Sequence, residues 1–128
     1  MTSKRRSIDI PGHGHANPIP AASRIGNMVY TGLIGGADPA TKKVPPTLGE
    51  QATNMFAMVK RIVEAAGGTT EDIIKVDVWL ADRSQRAAIN DAWLALFPNA
   101  ESRPARHSHT GQLEGGRLVE CSFVAVLG

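Results

Sequence analysis

The sequence predicts an α+β fold in which two helices pack on one face of a mixed β-sheet. Three features carry this expectation. Leu48, Ala52, Met55, Phe56, Val59, Ile62, Val63 and Ala66 recur at the period of a helix, as one apolar stripe. Ile74, Val76, Val78 and Leu80 alternate with Lys75, Asp77 and Trp79, the pattern of a half-buried strand. The stretch 117–127 is apolar on both parities around Glu120, as a strand in the middle of a sheet should be.

The elements follow in order. Residues 1–12 are an N-terminal basic segment and a first strand, 7–10, stopped by Pro11-Gly12. After a loop rich in Pro, Gly and His, residues 22–25 and 28–34 make a hairpin around Gly26-Asn27. The first helix opens at Thr47 with Glu50 at capping-box spacing, and Gly67-Gly68 ends it. Beyond the strand 74–80, residues 84–97 form a second amphipathic helix, with Ala87, Ala88, Ala92, Leu94, Ala95 and Leu96 among its apolar positions and Pro98 closing it. Strands at 105–110 and 117–127 flank a turn at 111–116. With both helices on one face, apolar residues such as Met28 or Val78 remain on the other, and self-association is the simplest cover for them.

The 128 residues form a single domain, 1–128, and 42% hydrophobic with 20% charged residues is a globular composition. No apolar run approaches the roughly 20 residues of a membrane span, and no apolar core follows Lys4-Arg5-Arg6, so the expected location is the cytoplasm. A net charge of +2 with 5% aromatic residues argues against nucleic acid as a partner. The lone Cys121 excludes an internal disulfide and a cysteine-cluster zinc module, and inside a strand it reads as packing.

Glu120 lies inside an apolar strand, so it is either a member of a structural ion pair or a general acid/base poised by partial burial. Arg106 follows the turn Arg103-Pro104-Ala105 and suits bidentate recognition of a carboxylate, or equally a salt bridge. His13/His15 and His107/His109 are two His-x-His pairs, each facing one way if on a strand, but without a further ligand at zinc-site spacing; no metal is expected.

Gly26-Asn27-Met28-Val29-Tyr30-Thr31-Gly32, the helix end Val63-Glu64-Ala65-Ala66-Gly67, Ile89-Asn90, Arg103-Pro104-Ala105-Arg106, and Val119-Glu120 ahead of Phe123-Val124-Ala125-Val126 resemble the Rid/YjgF family of enamine/imine deaminases. The resemblance spans residues 17–127. It implies a chorismate-mutase-like fold, a homotrimer with sites in the clefts between subunits, and hydrolysis of carboxylate-bearing enamines and imines such as 2-aminoacrylate to a keto acid and ammonia, without a cofactor. On that resemblance Arg106 grips the substrate carboxylate and Glu120 positions the water. Thr31, Gly32 and Asn90 match substrate-side positions. The sequence departs from the family pattern at Ile19, where an aromatic residue follows the proline, and at Ser108, where a cysteine is common. His15 and His107 are additional near the expected pocket. These departures point to a larger, more polar substrate as an alternative, a 2-aminomuconate from aromatic degradation. A non-catalytic trimer that binds small carboxylates is a second alternative. Ribonuclease activity, also attached to the family, finds little support in so weak a basic character.

Overall fold

Thr47 caps helix α1 (Leu48–Ala65): its hydroxyl oxygen accepts from the Glu50 N–H at 3.2 Å and donates to the Glu50 carboxylate at 2.7 Å. At the other end Gly67 takes φ 98°, and the Gly68 N–H reaches back to the Val63 carbonyl. Every residue of the expected stripe is buried, and Gln51 and Met58 are buried beside it. Each large side chain in that stripe contributes about 1.5–3 kcal/mol through burial.

The computed structural model describes residues 4–128, so the first three residues of the basic segment lie outside the described residues. The remaining elements are β1 (Arg5–Ile8), β2 (Ala22–Ile25), β3 (Met28–Thr31), β4 (Ile34–Gly35), a 3-10 turn Thr70–Asp72, β5 (Ile73–Leu80), a 3-10 segment Arg83–Ile89, α2 (Asn90–Leu96), β6 (Ala105–Thr110) and β7 (Val119–Val126). The sheet order is β1-β2-β3-β7-β5-β6, with β4 also on β7; β5 and β6 are parallel and every other pairing is antiparallel. The sheet is therefore mixed, as expected, and the doubly apolar β7 lies in its interior. Val119, Cys121, Phe123 and Ala125 of β7 point under the helices, into one core with Val29, Val76, Val78 and Leu80.

Several expectations need correction. The first strand is Arg5–Ile8, not 7–10, and Arg5 and Arg6 stand exposed on the outer edge of the sheet, where charge discourages further strand pairing. The hairpin turn has positive φ at Gly26 alone, 57°, as in turns with glycine first. Its second strand breaks after Thr31 and resumes as β4. In β5 a register shift between Ile73 and Lys75 turns Ile73 into the core and leaves Ile74 58% exposed. Val78 belongs to the helix-covered face and is fully buried, whereas Met28 is on the open face as expected. The second helix is not continuous. Its 3-10 segment leads into a short α2, and the buried side chains are Ile89, Trp93 and Phe97; of the expected positions Ala92 and Leu96 are half-buried against the core, whereas Ala87, Ala88, Leu94 and Ala95 are exposed. Trp93 packs against Phe56 and Phe97, which ties α2 to α1.

The face of the sheet away from the helices carries Ile25, Met28, Tyr30, Lys75, Asp77, Trp79, Glu120, Ser122, Val124 and Val126. Tyr30 is 60% exposed there.

Candidate active site

Strand alternation delivers Glu120 to the open face. Its register neighbours are Gly35 on β4 and Trp79 on β5, so the carboxylate has bare backbone on one side and an indole on the other. Between β3 and β4 the chain leaves β7 for Gly32 and Leu33, and the Phe123 N–H donates to the Thr31 hydroxyl oxygen at 2.9 Å in place of a ladder bond. The wedge opens a pocket of about 460 Å³ lined by Thr31, Gly32, Leu33, Trp79, Glu120 and Ser122, with residues 111–113 at its rim. A Cβ on Gly32 would meet nothing of this chain closer than 3.9 Å, so the space beside that backbone is open. Among the described residues Glu120 has no ion-pair partner.

Arg106 stands on the other face. It is the register partner of Val76, and its guanidinium donates to the Asn90 side-chain oxygen at 3.0 Å while lying 4.9 Å from the centre of the Trp93 ring. Burial pulls its pKa down, but an arginine remains charged. Asn90 thus positions the arginine fork. Ser108 shares the Val78 row on that same side, at the same edge strand. Arg106 and Glu120 lie two strand spacings apart, with β5 between them, and three residues of register apart, about 14 Å between Cα atoms, with the sheet between their side chains. One chain does not bring them to one small ligand.

The remaining expected residues scatter. Ile19 is exposed in the N-terminal loop. His15 accepts from the Asn17 N–H through Nδ1 at 2.9 Å and lines no part of the Glu120 pocket. His13 is pushed below the usual histidine pKa by burial, then by Lys42, Arg61 and His15. His107 is exposed beside His109, their rings 4.1 Å apart. His109 Nε2 lies 2.9 Å from Asp77 Oδ1; this bond outweighs desolvation and, with the charge of Lys75, holds Asp77 below the usual carboxylate range. Burial and, after it, the Glu120 charge push the Cys121 thiol up, out of the range of a nucleophile.

Sequence reasoning missed Trp79, Leu33, Ser122 and residues 111–113 as pocket lining. Strand parity could have found Trp79 and Ser122, since both share the side of Glu120. A second hollow, about 300 Å³ beside Thr70, Arg103 and Val126, contains none of the expected site residues.

The same architecture and much of the same sequence occur in known proteins. The chain is 36% identical over 104 residues to the 2-iminobutanoate/2-iminopropanoate deaminase of Escherichia coli, covering 80% of this chain and 81% of that one. It superposes on RidA from the Antarctic bacterium Psychrobacter sp. PAMC 21119 with a TM-score of 0.86 at 30% identity, over 95% and 99% of the two chains. On Escherichia coli TdcF, solved with bound serine, the TM-score is 0.88 at 28% identity, over 96% and 99%. Residues 15–127 match the family described as endoribonuclease L-PSP, and on this agreement of sequence, length and fold the chain belongs to the Rid/YjgF family.

Proposed function

We propose that the protein is a hydrolytic deaminase of small, carboxylate-bearing imines, acting on the imine tautomer of enamines such as 2-aminoacrylate. The observation that carries this reading is the Glu120 carboxylate, without an ion-pair partner among the described residues, in a pocket with apolar walls beside open backbone. The relative named 2-iminobutanoate/2-iminopropanoate deaminase supports the substrate class.

In this reaction water adds to the electrophilic imine carbon, and the tetrahedral carbinolamine then expels ammonia to leave a keto acid. Glu120 accepts a proton from the attacking water and passes it to the imine nitrogen, then accepts the carbinolamine hydroxyl proton and passes it to the departing amine, so its net protonation is unchanged. An arginine fork holding the substrate carboxylate fixes the reacting carbon against that water. Because Arg106 and Glu120 of one chain are too far apart, the proposed site takes Glu120, Thr31 and Gly32 from one subunit and Arg106, set by Asn90, from a neighbour. A homotrimer supplies such clefts, and the apolar residues of the open face provide the surface for it.

The test generates 2-aminoacrylate in situ and follows the decay of its absorbance. Glu120→Gln preserves shape and strand, and is expected to slow turnover by about a hundredfold. Wild-type turnover in that variant would remove Glu120 from the mechanism and favour a carboxylate-binding protein without catalysis.

A further inference from the structure

We infer that Asp77, His107 and His109 form a binding site for a divalent transition-metal cation of the zinc, nickel and copper class, on the open face of the sheet at its β6 edge. The parallel register sets Asp77 opposite His107 and Trp79 opposite His109, and two-residue alternation points both imidazoles the same way. One ligand atom from each of the three residues lies within 4.8 Å of the others. Ligands bonded at 2.0–2.2 Å around a tetrahedral ion stand about 3.4 Å apart, so small rotations of exposed His107 and half-buried Asp77 and His109 close the remaining gap. Two imidazole nitrogens and one carboxylate suit borderline cations, whereas magnesium and calcium prefer all-oxygen shells. Trp79 stacks on His109 at 4.9 Å and 17°, which fixes the plane of that ring as an outer-shell partner does.

The sequence offered two His-x-His pairs, and the fold supplies a third ligand to one of them. His13 lies under the charges of Lys42 and Arg61, which repel a cation. At the proposed site two features oppose binding: the Lys75 ammonium lies 3.5 Å from Asp77 Oδ1 and must swing away, and the 2.9 Å hydrogen bond between His109 Nε2 and Asp77 Oδ1 must open. A bound ion would cross-link β5 to the edge strand that carries Arg106 on its opposite side. None of the three ligands takes part in the Glu120 mechanism, so the site stands independently of the deaminase reading, although Trp79 also walls the Glu120 pocket.

The experiment uses the full chain, stripped of metal, in its native assembly. Zinc is titrated by calorimetry, and nickel and copper(II) by quenching of tryptophan fluorescence. Trp79 is stacked on a ligand, whereas Trp93 is buried on the other side of the sheet. Saturable binding of one ion per chain is expected, with Kd on the order of micromolar. His107→Gln and His109→Gln should each weaken it at least about tenfold, with fold and assembly confirmed by circular dichroism and light scattering. Lys75→Met should tighten it about threefold by removing the competing charge. A His13→Gln/His15→Gln double variant should bind like wild type. No saturable binding below about 100 μM, or binding lost with the N-terminal pair and kept without His107 and His109, would overturn the proposal.

Discussion

Arg106 is held from two sides, by the Asn90 oxygen and by the face of Trp93, so its fork is aimed before any ligand arrives. Arg106→Ala is expected to lose carboxylate binding and turnover together, by about ten- to a hundredfold, since a charge-assisted bidentate contact is worth about 1.5–3 kcal/mol. Arg106→Lys should restore little, because an ammonium cannot span both oxygens. Calorimetry with a small keto acid, run beside the decay assay, separates binding from chemistry; unchanged keto-acid affinity in folded Arg106→Ala would exclude the arginine from the site. At this scale the sequence was informative about identities and silent about sides. Glu120 and Arg106 stood out through their setting, an apolar strand and a proline-fixed turn. Their placement on opposite faces depends on the pairing of β5 with β6 and β7, which joins residues far apart in the chain. The partnership of Asp77 with His107 and His109 is hidden for the same reason.

Gln51 shows how an element is tied to its surroundings. It is fully buried in the α1 stripe, donates to the Pro45 and Gly116 carbonyls at 2.8 and 3.1 Å, and accepts from the Leu118 N–H at 2.8 Å. It thus fastens both the loop before α1 and the loop that rims the Glu120 pocket. Gln51→Leu keeps the volume near constant but strands the buried Leu118 N–H, and should cost about 1–3 kcal/mol in urea unfolding with an unchanged slope. A loss below about 0.5 kcal/mol would mean that water replaces the clamp. Gly36 marks the same junction: a Cβ there would lie 2.3 Å from the Gln51 carbonyl oxygen, so only glycine lets β4 run so close to the helix. The long helix was legible because cap, stripe and stop agree. The second was not, because alanines in its first half suggested a continuous apolar face where the chain forms a 3-10 segment, and its buried side chains lie elsewhere. The β5 shift escaped because Ile73 and Ile74 are interchangeable to any count of apolar residues, and only packing decides which turns inward.

The whole molecule presents one covered and one open face of a single sheet. If catalysis needs Arg106 of one subunit and Glu120 of the next, two inactive variants should repair each other. Arg106→Ala and Glu120→Gln chains, unfolded together and reassembled at equal concentration, would regain activity at about a quarter of the sites, since a site is intact when an intact arginine meets an intact glutamate. No recovery in reassembled trimers, or a stable monomer by light scattering at micromolar concentration, would rule out the shared site. The chain order of the strands has a different consequence, concerning synthesis. β7 is the last strand to be made and enters the middle of the sheet, between β3 and β5. Until β7 is paired, β3 has only β2 beside it and β5 only β6, two fragments with no strand pairing between them. Helix α1, complete long before, has Trp93 of α2 against Phe56 but still lacks the β7 side chains that share its core. The sheet therefore closes only when β7 is in place, whichever of its other pairings forms first.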